Sequence, residues 1–109
     1  MKIKESLSLI IENKEKEINY FYRLTESETT RGVAFGIEVE KQDIKNGSVT
    51  NIERDSVDII SNKEEKVKQI LELLYRNNVS PIHLVDVIGE YVDEYVQDFD
   101  NEETLAKCL

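Results

Sequence analysis

The dipeptide Asn46-Gly47, placed between two segments rich in β-branched residues, most constrains the fold of this chain. Both central residues of a type I′ turn need positive φ, and asparagine followed by glycine adopts that conformation readily. Upstream, apolar residues at every second position from Val33 to Val39 give the period of a half-buried strand. The sequence therefore predicts an antiparallel hairpin whose second strand covers about residues 48–55.

The register of this hairpin is irregular. A two-residue turn pairs Ile44 with Val49 and Val39 with Arg54, yet Ile44 has the opposite parity to the apolar positions of the first strand. We therefore expect either a bulge near residues 41–43 or a turn longer than two residues.

The segment before the hairpin also favours a strand. Apolar residues alternate with other residues from Ile18 to Leu24, and residues 26–31 are polar. The pattern predicts a strand followed by a polar loop that closes on Gly32.

Residues 3–11 fit two structures. Their apolar positions suit a strand when read as Leu7, Leu9 and Ile11. They suit one face of a helix when read as Ile3, Leu7, Ile10 and Ile11. We favour the strand.

The second half of the chain predicts two helices. Ser61 and Glu64 form a capping-box pattern, and an apolar stripe follows at Val67, Ile70, Leu71, Leu74 and Tyr75. Asn77-Asn78 can end this helix by adopting a left-handed conformation. Ser80-Pro81 then provides an N-cap residue and a proline at the first position of the second helix.

The second helix divides into an apolar face and a polar face. At about 100° per residue, the apolar face contains Leu84, Val87, Ile88, Tyr91, Val92, Tyr95, Val96 and Phe99. The polar face contains His83, Asp86, Glu90, Asp93, Glu94, Gln97 and Asp98. The apolar face spans roughly 180°, whereas docking on a core needs roughly 100°, so its surplus width suggests a partner.

Strands followed by helices predict an α+β domain. The simplest arrangement is an antiparallel meander of three to four strands, with both amphipathic helices packed on one face. At 109 residues there is room for one domain, which we place at residues 1–99. We expect residues 100–109 to form a mobile acidic tail.

The charge distribution limits the possible partners. The net charge is −9, and from Val79 onward eight acidic residues accompany one basic residue. Direct binding to nucleic acid needs a cationic surface, so we expect none. No apolar run approaches the roughly 18 residues of a membrane span. The N-terminal segment resembles a signal peptide only weakly, because Glu5 and two serines interrupt its apolar part and no small-residue cleavage site follows. We therefore expect a cytoplasmic protein that does not bind membranes.

The sequence contains no recognisable catalytic, cofactor or metal site. The one histidine, His83, has no serine or cysteine tied to it by spacing, so we expect a structural role. The one cysteine, Cys108, excludes an internal disulfide. Aromatic residues on the strands could stack RNA bases, but Glu38 and Glu40 oppose this, and we assign Tyr20, Phe21, Tyr22 and Phe35 to the core.

Several short segments resemble a known family. They are Tyr20-Phe21-Tyr22-Arg23-Leu24, Phe35-Gly36-Ile37-Glu38-Val39, Val57-Asp58-Ile59-Ile60-Ser61 and Val79-Ser80-Pro81-Ile82-His83-Leu84-Val85-Asp86-Val87-Ile88. In their order they resemble a family of short clostridial and other Firmicutes proteins known only as a domain of unknown function. The resemblance covers about residues 17–96 and departs at Gly89, where that family usually has an acidic residue. It implies a bacterial cytoplasmic protein and supplies neither an activity nor site residues.

These observations favour a non-enzymatic protein that acts in a regulatory or accessory role by binding another protein or itself. The candidate interface residues are Leu73, Val85, Asp86, Glu90, Asp93, Glu94, Tyr95 and Val96. A second hypothesis is an acidic inhibitor that mimics nucleic acid and occupies the surface of a nucleic-acid-binding protein. A third is a small-ligand or enzymatic domain with a pocket near His83.

Overall fold

The computed structural model describes residues 2–89 of the chain. Four strands come first: β1 (Lys2–Glu12), β2 (Glu17–Thr29), β3 (Gly32–Lys45) and β4 (Ser48–Ser61). Helix α1 (Glu64–Arg76), a 3₁₀ turn (Pro81–His83) and helix α2, described over residues 84–89, follow. The strands form one antiparallel sheet in the order β1-β2-β3-β4. The predicted α+β meander is confirmed. The predicted tail and the rest of the second helix lie outside the described residues.

The strands are longer than their apolar alternation indicates. Residues 3–11, which fitted a strand or a helix, belong to strand β1. The polar loop predicted at residues 26–31 is wrong, because β2 and β3 remain paired out to Thr29 and Gly32. Polar residues are tolerated there since residues 26, 27 and 29 are only partly buried and residues 28 and 30–33 are exposed.

The hairpin at Asn46-Gly47 is confirmed. Both residues have positive φ, at 54° and 79°, and Ile44 pairs with Val49. The register then shifts between Asp43 and Ile44, so that Thr50 on β4 is a bulge residue. Because of this bulge, Val39 pairs with Asp55 and not with Arg54 as a regular ladder would require.

A second bulge lies where β4 crosses Gly36. Ile37 pairs with Val57 and Phe35 with Ser61, so residues 58–60 lie opposite Gly36 alone. A Cβ atom at Gly36 would overlap the main-chain oxygens of Val57 and Asp58. Glycine is therefore required at this position by the close approach of two backbones.

The capping box predicted at Ser61 is wrong, although the helix prediction itself is confirmed. Strand β4 continues to Ser61, and α1 begins at Glu64 with Lys63 as its N-cap. The Ser61 hydroxyl accepts a hydrogen bond from the Lys63 backbone at 3.1 Å, which forms a tight turn between strand and helix. Pairing with β3 thus takes the serine that an isolated helix would use as a cap.

The C-terminal end of α1 follows the prediction. Asn78 has φ of 53°, and the Val79 amide donates to the Leu74 carbonyl at 3.1 Å. The Asn78 amide donates to the Tyr75 carbonyl at 3.3 Å. These two bonds define a Schellman motif, which turns the chain back toward the sheet.

One face of the sheet, the covered face, packs against the helices. Its buried apolar side chains come from β2, β3, β4 and the helices: Tyr20, Tyr22, Leu24, Phe35, Ile37, Val39, Ile60, Val67, Ile70, Leu71, Leu74, Leu84 and Ile88. Leu7, Leu9 and Ile11 of β1 are partly buried against this layer. The Tyr22 hydroxyl lies within this layer and donates to the Val79 carbonyl at 2.9 Å. Burial, with a smaller contribution from Tyr20, raises the pKa of Tyr22 well above its ordinary value. The phenol therefore stays protonated and keeps this hydrogen bond.

Candidate protein-binding surface

Three of the predicted interface residues lie in the described part of the chain. Val85 is 56% exposed, Asp86 is exposed and Leu73 is partly buried. The structure thus places Val85 and Asp86 at the surface, as an interface requires. The other five candidates, which cannot be placed, lie outside the described residues: Glu90, Asp93, Glu94, Tyr95 and Val96.

Ile82 extends this surface and was missed from the sequence. It is 68% exposed. Val85 and Asp86 follow it at the three- and four-residue spacings that place side chains on one side of a helix. Pro81, Leu84 and Ile88 are buried on the other side and fix the orientation of the segment. We call Ile82, Val85 and Asp86 the second-helix surface.

A groove separates the second-helix surface from the edge of β4. It has a volume of about 400 Å³ and is lined by Ile52, Glu53, Arg54, Asp55, Pro81 and Ile82. Ile52 is 53% exposed, so two exposed isoleucines, one on the strand and one on the turn, lie across the same groove. We call this feature the β4 groove. Ile52 was also missed, because the sequence does not show that the turn after Ser80 lies beside β4.

The charge at the β4 groove is acidic. Of its two carboxylates and one guanidinium, the guanidinium of Arg54 is bound to Glu40: Nε lies 2.8 Å from Glu40 Oε1, and Nη2 also donates to that oxygen. Arg54 Nε also lies 3.8 Å from Glu38 Oε1. With Arg54 so engaged, Glu53 and Asp55 determine the charge that the groove presents.

The open face of the sheet, opposite the helices, carries a cross-strand charge cluster. Arg23 Nη1 lies 2.6 Å from Glu38 Oε1 and 3.4 Å from Glu40 Oε1. Gln42 Nε2 donates to Glu40 Oε2 at 2.6 Å. The sequence assigned Phe21 to the core, but it lies on the open face with the Arg23 guanidinium 5.3 Å from its ring centre. The other three aromatic residues assigned to the core are indeed buried: Tyr20, Tyr22 and Phe35.

Glu40 is the most enclosed charged group of this cluster, with a side chain only 4% exposed. Burial acts to raise its pKa, but the hydrogen bonds from Arg54 and Gln42 and the positive charges of Arg23 and Arg54 outweigh it, so the pKa lies below its ordinary value. A carboxylate held this firmly in its ionised form is a weak proton acceptor. The cluster is therefore better suited to joining β2, β3 and β4 than to acid–base chemistry.

His83 is exposed on the 3₁₀ turn. Across residues 2–89, no group of three or more histidine, cysteine, aspartate or glutamate side chains is arranged to hold a metal ion. Neither described helix has the length and apolar character needed to cross a membrane.

Comparison with known proteins gives one match. The two-layer α+β fold, with helices on one face of a four-stranded meander, defines the class of the domain. The model of a family of unknown function, DUF6514, matches residues 1–94, and the chain belongs to this family. No curated protein and no solved structure matches the chain.

Proposed function

We propose that this protein is a non-enzymatic regulatory or accessory protein of the bacterial cytoplasm that binds another protein through the second-helix surface and the β4 groove. The observation that carries the proposal is that Ile52 and Ile82, each more than half exposed, line one groove. Val85, also more than half exposed, lies three residues after Ile82 on the same segment. Single exposed apolar residues are common on protein surfaces. A group of them beside a groove is typical of a binding site.

The charges around these residues favour a basic partner. Glu53 and Asp55 line the groove, and Asp86 lies one helical turn from Ile82. A segment with apolar side chains for the groove and lysine or arginine beside them would match both features. The net charge of −9 would also speed the approach of such a partner at low salt.

The proposal can be tested by affinity capture from a clostridial or other Firmicutes lysate, with the full chain immobilised. We would compare the natural sequence with the double variant Ile82→Ser, Val85→Ser at two salt concentrations. We expect proteins with basic segments to be captured by the natural sequence and lost with the double variant. The substituted side chains are exposed, so circular dichroism should show an unchanged fold.

Val33→Ser is the matched control, because Val33 is 41% exposed at the far end of β3. It should capture the same proteins as the natural sequence. If all three forms capture the same proteins, or none, the proposed surface is wrong. Capture that high salt abolishes but the double variant leaves unchanged would instead favour the acidic-inhibitor hypothesis.

A further inference from the structure

The two edges of the sheet differ in how they are protected. Among the described strands, β1 and β4 each have one hydrogen-bonded neighbour. An edge strand presents unpaired N–H and C=O groups that can pair with another chain. Bulges, charged side chains and covering elements normally prevent such pairing.

Strand β4 has all three protections. Bulges interrupt it at Thr50 and at residues 58–60. Four charged residues lie along it, namely Glu53, Arg54, Asp55 and Asp58. The 3₁₀ turn Pro81–His83 contacts it from the side. This edge is therefore poorly suited to pairing with a further strand.

Strand β1 has none of these three protections between Glu5 and Glu12. Residues 5–12 pair one to one with residues 24–17 of β2, and the single irregularity lies before them, between Ile3 and Glu5. From Ser6 to Ile11 the sequence is Ser-Leu-Ser-Leu-Ile-Ile, without charge, proline or glycine. Ile10 is 61% exposed on the open face. Within residues 2–89, no element pairs with the outer edge of this segment.

We propose that two copies of this chain pair antiparallel through β1, with the two-fold axis at Ser8. In this register Leu7 lies opposite Leu9 of the second copy, and Glu5 lies opposite its Ile11. Residues of equal parity face each other, so Leu7 and Leu9 of both copies stay on the covered face. The two sheets, each in the order β1-β2-β3-β4, become one continuous sheet.

A second copy suits this edge because antiparallel pairing of two β1 strands brings opposite charges together at each end. Lys4, the bulge residue that precedes the regular segment, lies at the end of the pairing nearest Glu12 of the second copy, and the symmetry repeats the pair at the other end. Glu5 lies opposite the uncharged Ile11, and residues 6–11 are uncharged in both copies, so no like charges lie directly opposite each other. Strand pairing of this isologous kind closes after two chains.

The dimer has a consequence for binding. Strand β4 is the edge farthest from β1, so the two β4 grooves would lie at opposite ends of the joined sheet. A partner with repeated binding segments could then contact both grooves, which strengthens binding without new contacts. The dimer itself does not depend on the proposed function, because it uses the opposite edge of the sheet.

Sedimentation of the full chain tests the proposal, with Ser8→Lys as the disrupting variant and Ser56→Lys as the matched control. Both serines are exposed on the open face of an edge strand. The natural sequence and Ser56→Lys should have twice the 12.7 kDa chain mass, and Ser8→Lys should have the single mass. A natural sequence that stays monomeric, a dimeric Ser8→Lys or a monomeric Ser56→Lys would overturn the proposal.

A crosslinking test keeps the proposal falsifiable if Ser8→Lys does not fold. In a Cys108→Ser background, Ser8→Cys places two thiols across the two-fold axis, where antiparallel pairing brings Cα atoms to about 4.5–5.5 Å. Mild oxidation should link the Ser8→Cys chains in pairs and leave Ser56→Cys chains single. Failure of Ser8→Cys to crosslink, or equal crosslinking of both variants, would overturn the register.

Discussion

The two faces of the sheet are stabilised by different interactions. The covered face buries apolar side chains from β2, β3, β4 and both helices, including Leu71 and Leu84 at 0% exposure. The open face is joined by ion pairs that centre on Glu40 and reach Arg23 and Arg54 on the neighbouring strands. Apolar burial gains free energy with area, whereas partly exposed ion pairs contribute little. The stability of the protein should therefore depend mainly on the covered face, and its pH sensitivity on the open face.

The largest effect should come from the covered face. Leu71→Ala removes a fully buried side chain and should lower the free energy of unfolding by about 2–5 kcal/mol. Leu73→Ala, two residues away on the same helix but partly exposed, should cost clearly less. Urea denaturation measures both. Equal losses would contradict the assignment of the core.

The next effect tests the close approach of the β4 main chain to Gly36. Gly36→Ala places a methyl group against the carbonyl oxygens of Val57 and Asp58, so we expect a loss of about 1–3 kcal/mol. Gly89→Ala is the control. There an added Cβ meets no described atom within 4 Å, and alanine should stabilise the helix by up to about 1 kcal/mol. Thermal melts that move in the same direction for both variants would disprove this account.

A smaller effect is expected on the open face. Glu40→Gln removes the charge that Arg54 and Arg23 bind, and we expect a loss of about 1–2 kcal/mol at neutral pH. Denaturant midpoints of both proteins measure it. Arg54→Ala should cost little further stability in the Glu40→Gln background, because its main partner is already changed.

Glu40→Gln should also change how the stability of the protein depends on pH. The pKa of Glu40 is lowered in the folded protein, so its contribution is present above the unfolded value of about 4.3. It should disappear as the pH falls through the lower folded value. The difference between the natural protein and Glu40→Gln should therefore shrink in acid. A difference that stays constant down to pH 2 would remove Glu40 as the cause.

The smallest effect concerns a polar group inside the covered face. Tyr22→Phe deletes the hydroxyl that donates to the Val79 carbonyl, and the expected loss is about 1 kcal/mol. The change should act mainly on the connection between α1 and α2, since Val79 lies between them. Hydrogen exchange should show faster opening near Val79, and an unchanged rate would argue against this link.

The sequence predicted the regular parts of the fold because their signals are local. The Asn46-Gly47 turn, the alternation in β2 and β3 and the stripe of α1 each depend on residues close together in the chain. The same holds for Val85 and Asp86, whose exposure follows from helical spacing. Ile52 and Ile82 could not be identified in this way, because they become neighbours only when the 3₁₀ turn lies beside β4.

Local sequence patterns were enough to predict the α+β class, the order of the elements, the hairpin turn and the apolar stripe of α1. Three features could be seen only in the folded chain: Ser61 ends a strand, the backbone of β4 packs closely against Gly36, and two arginines bind Glu40. The physical reason is the range of the interactions. Turn and helix preferences act over a few residues, whereas a bulge, a buried carboxylate and a groove depend on residues that are distant in sequence and close in space.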